Sequence, residues 1–360
     1  MDYGLRVQKI LGRMRQDGID SLLVTQGTDI RYVSGFSGEA GVAVIILSEC
    51  GNYLITDGRF TSQAEQETEG FEIVLIKSGQ KLYETAGGLL DEIGAGEIRV
   101  DIGQISHADY LELESHCHGN IQNMKPYISD ARMVKDEEEL VLIRRACDIT
   151  EQSFLALLNQ IRPGQSEKEI RNILENEFRR RGSLDVAFET IVASGPVNGA
   201  NPHASLTDRT IQQGDMVTID FGCKYEAYCS DITRTFSLGK PSDEMMKIYN
   251  TVKAAKEAAE STLREGVSAR DVDLAVEAVI GGAGYHLPHG PGHGFGLDIH
   301  ENPFLSSRNE YRMERNVVHT LEPGIYVQGI CGVRIEDDYL ITGDGAECLT
   351  PNITRDLIIL

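Results

Sequence analysis

Pro288-His289-Gly290-Pro291-Gly292-His293-Gly294-Phe295-Gly296-Leu297-Asp298-Ile299-His300-Glu301 carries three of the chain's nine histidines and a glycine at every second position from Gly290 to Gly296. Glycines so placed let backbone approach a neighbour closely, as a loop wrapped around a ligand or metal requires. A mobile surface loop would share this glycine content, but it would not call for the histidines. The rest of the chain decides between the two readings.

At 360 residues the chain is long enough for two domains, each able to bury its own core. Its 41% hydrophobic and 25% charged residues are those of a globular protein, and a formal net charge of -22 opposes a general affinity for nucleic acid or anionic lipid. Charges at Arg6, Lys9, Arg13, Arg15 and Asp17 interrupt the apolar core that a signal peptide would need. The apolar run Val42 to Leu47 is too short to span a bilayer. Seven cysteines without a Cys-x-x-Cys pair read as reduced thiols, so a cytoplasmic location is expected. His116-Cys117-His118 reads as a polar surface segment, because consecutive side chains point in different directions.

Helical spacing of Val7, Ile10, Leu11 and Met14, ended by Gly18, precedes a strand from Ser21 to Val24. Further strands are expected at Val42–Leu47, Tyr53–Thr56, Phe71–Ile76 and Ile98–Asp101, with helical segments between them. This is an α/β domain over 1–122, followed by a connection over 123–135 and a second domain over 136–360 that opens on a long amphipathic helix, Glu137–Ile161.

The second domain is internally duplicated. Ile161-Arg162-Pro163-Gly164-Gln165-Ser166-Glu167-Lys168-Glu169-Ile170 aligns with Leu263-Arg264-Glu265-Gly266-Val267-Ser268-Ala269-Arg270-Asp271-Val272 at an offset of 102 residues. Ser166 with Glu169, and Ser268 with Asp271, give each copy a helix-capping signature. The same offset places Asp220 of Met216-Val217-Thr218-Ile219-Asp220-Phe221-Gly222 on Glu322 of Val318-His319-Thr320-Leu321-Glu322-Pro323-Gly324. A following strand carries a second acid in each copy, Asp231 and Glu336, at an offset of 105. Packed about a pseudo-twofold, the halves would face four carboxylates toward one another.

Four carboxylates cannot share an apolar centre uncompensated, since burying each ion costs several kcal/mol and like charges add repulsion. Two divalent cations would neutralise them, and a histidine from the glycine-rich stretch would complete a donor set suited to Mn²⁺ first, and to Co²⁺ or Zn²⁺. Paired ions of this kind are the apparatus of metal-assisted hydrolysis.

These residues resemble the pita-bread metallopeptidases, a superfamily that includes aminopeptidase P, prolidase, methionine aminopeptidase and creatinase. The resemblance lies in Ser194-Gly195-Pro196 through Asn201-Pro202-His203, in Asp220-Phe221-Gly222, and in Ser230-Asp231-Ile232-Thr233-Arg234-Thr235. It extends through the glycine-rich stretch to Glu322-Pro323-Gly324-Ile325-Tyr326 and Arg334-Ile335-Glu336-Asp337. Asp29-Ile30-Arg31-Tyr32-Val33-Ser34-Gly35-Phe36-Ser37-Gly38 and Thr56-Asp57-Gly58-Arg59-Phe60 resemble the creatinase-type N-terminal domain. The resemblance implies a creatinase-type α/β domain followed by a pita-bread catalytic domain.

It also implies metal ligation by Asp220, Asp231, His293, Glu322 and Glu336, with Asp231 and Glu336 shared between two ions. Glu322 would accept a proton, His203 and His300 would hydrogen-bond substrate, and His289 would assist at the leaving side. Thr233 and Arg334, two residues from Asp231 and Glu336, would share a strand face with them and orient their carboxylates. His286 and His319 read as structural. The implied substrates are peptides with proline at the second position, cut at the Xaa-Pro bond by a homodimer, either as an Xaa-Pro aminopeptidase or as a prolidase acting on dipeptides. The creatinase branch, which lacks much of this ligand set, is disfavoured. A non-catalytic peptide-binding protein on the same fold is the competing class, and ligand loss would be its mark. Pro291, where the family usually has threonine or serine, and Asn316 and His319 depart from the family pattern.

Overall fold

The computed structural model describes residues 1–360, which form two compact units, Met1–Arg132 and Met133–Leu360. The first opens on the helix Tyr3–Gln16, capped by the Asp2 carboxylate on the Leu5 amide, with Arg13 and Arg15 favourably placed in its last turn. Val7, Ile10 and Met14 are its buried stripe. Six strands form one mixed sheet. Ser21–Val24 pairs antiparallel with Ala43–Ser48 on one side and parallel with Glu97–Val100 on the other. Ala43–Ser48 is buried along its whole length, which accounts for its unbroken apolar run.

An edge strand, Asn120–Asn123, was not expected. Its single apolar residue, Ile121, gives no alternation to read, and parallel backbone pairing with Glu97–Val100 defines it instead. The segment 123–135, read from sequence as a connection, contains the helix Tyr127–Met133. Buried Tyr127 and Ile128, and a 2.7 Å ion pair from Arg132 to Asp29, tie this helix into the first unit, which extends to Arg132.

In the second unit the duplication is geometric. Ser166 and Ser268 cap the helices Glu167–Arg180 and Ala269–Gly282 through the amides of Glu169 and Asp271. Each serine also bridges a later residue, Thr210 in one half and Arg312 in the other, again 102 apart. The amides of Gly164 and Gly266 bond the carbonyls of Ile211 and Met313 in the same relation. One half lays the helices Glu137–Leu158 and Glu167–Arg180 on strands that include Ile191–Ser194, Met216–Phe221 and Ile232–Ser237. The other lays Asp243–Thr262 and Ala269–Gly282 on strands that include His293–Gly294, Val318–Leu321 and Asp337–Ile341. Each half has its own apolar core, the first containing the Phe154–Phe221 stack with ring centroids 5.0 Å apart. No helix is long and apolar enough to cross a membrane.

Candidate metal centre and active site

The acids occupy strand ends. Asp220 lies near the end of Met216–Phe221, and Asp231 immediately precedes Ile232–Ser237. Glu322 follows Val318–Leu321, and Glu336 stands between Cys331–Arg334 and Asp337–Ile341. His293 sits at the position that the duplication assigns to Ile191 in the first half, so only one half supplies a histidine. Ligand atoms of Asp231, His293 and Glu336 lie within 4.8 Å of one another. His293 Nε2 is 3.5 Å from both Asp231 Oδ2 and Glu322 Oε1.

The glycine-rich stretch is not a mobile loop. His293–Gly294 is a strand, and His293 is buried. A Cβ on Gly292 would lie 2.1 Å from the Thr320 carbonyl oxygen, and one on Gly294 2.4 Å from that of Asn302. The spacing was read as room for a ligand, but these two glycines make room for neighbouring backbone, which fixes His293 in place.

The electrostatics call for cations. Burial, reinforced by the charges of Glu336 and Asp220 on Asp231 and of Glu322 and Asp220 on Glu336, holds both carboxyls well above the usual carboxylate range. Burial pushes Glu322 up to about 8 against the opposing pull of Arg334. Asp220 Oδ1 and Asp231 Oδ1 are buried without a hydrogen-bond partner. His293 Nδ1 bonds the Gly294 carbonyl at 3.0 Å, which assigns its proton there and leaves the Nε2 lone pair directed at carboxylates. Burial lowers this imidazole to about 3, so it is a neutral donor near pH 7. Acceptors facing acceptors, with two carboxylate oxygens unsatisfied, fit divalent cations held by Asp220, Asp231, His293, Glu322 and Glu336.

Two supporting contacts differ from the sequence reading. Thr233 donates to Glu336 Oε2 at 2.6 Å, not to Asp231, and Arg334 Nη2 donates to Asp220 Oδ2 at 2.5 Å, not to Glu336. Strand alternation fixes a face, whereas the contacts run between halves. Arg334 Nε also donates to the Thr233 hydroxyl at 3.0 Å, joining the two contacts. His203 and His300 are exposed and line the same cleft of about 480 Å³ as the five candidate ligands. The His300 ring stands 4.5 Å from that of His293. His289 lines it too, but Nδ1 bonds the Gly290 carbonyl at 2.9 Å and Nε2 the Tyr326 hydroxyl at 3.0 Å. Both its nitrogens are engaged, so assisting at the leaving side would require one of these bonds to break. His319 is fully buried, with Nε2 3.0 Å from the Pro303 carbonyl, in keeping with a structural role.

Three groups went unread in the sequence. The Tyr326 hydroxyl accepts from Arg334 Nη1 at 2.6 Å and so links Arg334 to His289. Its position four residues after Glu322 was available as a signal. Asp338 accepts the Asp231 amide at 3.0 Å, and burial pushes its carboxyl up to about 8. It stands 105 residues after Thr233, the offset of the second acids. Lys135 and Glu301 form a buried 2.8 Å ion pair beside Gly296, for which the sequence offered no signal.

An α/β unit followed by a duplicated unit, whose halves converge on carboxylates and one histidine, defines a pita-bread metallopeptidase with a creatinase-type N-terminal domain. The chain belongs to metallopeptidase family M24, whose profile matches residues 141–343, and residues 6–134 match the Creatinase/Prolidase N-terminal domain. It is a hydrolase of a divalent-metal-dependent family. It is 33% identical to an Xaa-Pro dipeptidase of Pyrococcus horikoshii, over 98% of either chain. An Xaa-Pro dipeptidase structure from Bacillus anthracis superposes with a TM-score of 0.95 at 34% identity, covering 100% of both chains. An X-Pro aminopeptidase structure from Thermotoga maritima gives 0.87 at 36% identity, covering 97% of this chain and 100% of its own.

Proposed function

We propose that this protein hydrolyses the Xaa-Pro bond of peptides with a free N-terminus, using two divalent ions, Mn²⁺ first, held by Asp220, Asp231, His293, Glu322 and Glu336. The observation that carries this reading is the convergence of unsatisfied carboxylate oxygens and the His293 Nε2 lone pair on one cleft. When bound, the ions supply Lewis-acid polarisation of the scissile carbonyl and an activated water.

The chain's own groups do the remainder. Glu322, whose side chain is 17% exposed, reaches the cleft and accepts a proton at its carboxylate. His203 and His300 hydrogen-bond the substrate carbonyl and the charge that develops on it. Arg334 and Thr233 hold Asp220 and Glu336 in orientation. Proline on the leaving side of the scissile bond removes an N–H that an enclosed cleft would otherwise have to satisfy.

The names of the Pyrococcus and Bacillus anthracis proteins support dipeptides as substrates, and that of the Thermotoga protein supports longer peptides. A homodimer in the cytoplasm belongs to the same proposal, with native mass and cell fractionation as its measures. The deciding experiment strips the protein with chelator and assays it with and without added Mn²⁺ on Xaa-Pro, Xaa-Ala and N-acetylated Xaa-Pro peptides. Hydrolysis should require metal, proline and a free amine. Full activity in a metal-free sample would overturn the reading.

A further inference from the structure

We propose that Phe304 is a specificity-determining residue, which makes this cleft favour peptides that continue past the proline with an apolar residue over Xaa-Pro dipeptides. The inference rests on the Xaa-Pro reading above and deepens it.

Along Glu301–Phe304 burial alternates, Glu301 and Pro303 inward, Asn302 and Phe304 outward. An outward position suits a polar side chain, yet Phe304 places a phenyl ring there, 45% exposed. The ring faces the reaction centre: Phe304 pairs in register with His293, and their ring centroids are 6.3 Å apart. It lines the cleft together with Ile299 and Leu305.

The α-carboxylate of a dipeptide lies only a few bonds from the scissile carbonyl, so it must enter the same cleft. Arg334 is the single lysine or arginine among the lining residues. Its side chain is only 4% exposed, and four of its five N–H groups are committed to Thr233, Pro202, Tyr326 and Asp220. Glu189, exposed in the same cleft, adds a like charge. With His203 and His300 assigned above to the substrate carbonyl, a dipeptide carboxylate therefore gives up water chiefly for an apolar ring and a carboxylate. A third residue replaces that charge with a neutral amide, carries the carboxylate outward by about 3.3–3.6 Å, and lets an apolar side chain cover the exposed phenyl ring.

The test compares kcat/KM of the Mn²⁺-loaded enzyme on Ala-Pro, Ala-Pro-amide, Ala-Pro-Phe and Ala-Pro-Asp. Ala-Pro-Phe should exceed Ala-Pro by about tenfold or more, with the amide above the free acid and Ala-Pro-Asp below Ala-Pro-Phe. Phe304→Arg should raise the rate on Ala-Pro and lower it on Ala-Pro-Phe, shrinking that ratio by about tenfold or more. Phe304→Ala should lower the rate on Ala-Pro-Phe without raising that on Ala-Pro, and both variants, changed at an exposed position, should retain the wild-type metal content. Equal or faster cleavage of Ala-Pro by the wild type, or an unchanged ratio in both variants, would overturn the inference while leaving Xaa-Pro hydrolysis standing. No cleavage of any of these substrates by a metal-loaded sample would overturn both.

Discussion

Removing the cations should make the stability of this protein depend on pH in an unusual direction. Glu322 and Asp338 are each pushed up to about 8, and Asp231 and Glu336 are raised well above their ordinary range, in every case with burial as the main cause. A carboxyl whose folded pKa exceeds its unfolded pKa keeps its proton longer in the native state, so it stabilises the fold below the unfolded value. That contribution is lost as pH rises through the folded value. Buried His293 and His319, lowered to about 3 and about 4, act oppositely, but only below the ordinary histidine pKa of about 6.5. From about pH 6.5 to 8 those two histidines contribute nothing further, and the buried carboxyls act with one exposed group of the same sign, His118, which Asp91 raises. Each proton retained there lowers stability by about 1.4 kcal/mol per pH unit, roughly 2 kcal/mol across the window. Urea unfolding of chelator-treated protein followed by circular dichroism should show the midpoint falling across this range. Saturating Mn²⁺ should raise the midpoint and flatten its slope, because the bound ions replace the protons. A metal-free protein whose stability is flat or rising over this window would refute the reasoning.

Other expectations follow from single contacts. Asp231→Asn and Glu336→Gln should reduce both metal content and rate, whereas His203→Ala should reduce the rate with metal retained; loss of both metals in His203→Ala, read by elemental analysis, would contradict its placement on the substrate side. Thr233→Val removes the donor to Glu336 Oε2 and should weaken metal affinity by about 10–100-fold in a competitive chelator titration, with little change in fold. Glu301→Gln removes the charge from the buried 2.8 Å pair with Lys135 and should destabilise the protein, while pairing it with Lys135→Met should recover part of the loss in a denaturant titration.

The elements that the sequence disclosed are those whose side chains report their surroundings. Val7, Ile10 and Met14 mark a buried helical stripe, and the apolar run in Ala43–Ser48 marks a strand covered on both faces. The 102-residue repeat is legible because each copy needs the same cap and a carboxylate at the same place, and it groups Asp220, Asp231, Glu322 and Glu336, which line one cleft in the structure. Asn120–Asn123 was invisible because its pairing is made by backbone alone. The true partners of Thr233 and Arg334 were hidden because periodicity gives the face of a strand and not the neighbour across it. The role of His289 comes from the family resemblance of its motif, whereas its contacts are set by Gly290 and Tyr326, one a backbone oxygen and the other remote in sequence.

Thr233 of the first half secures Glu336 of the second, Arg334 of the second secures Asp220 of the first, and Asp338 of the second accepts the amide of Asp231 in the first. Neither half is therefore a weaker copy of the whole. Severed between Gly239 and Ser242, each fragment would carry acids whose tethers had left with the other. Metal capture would then report fragment complementation, appearing only when the two pieces reassemble.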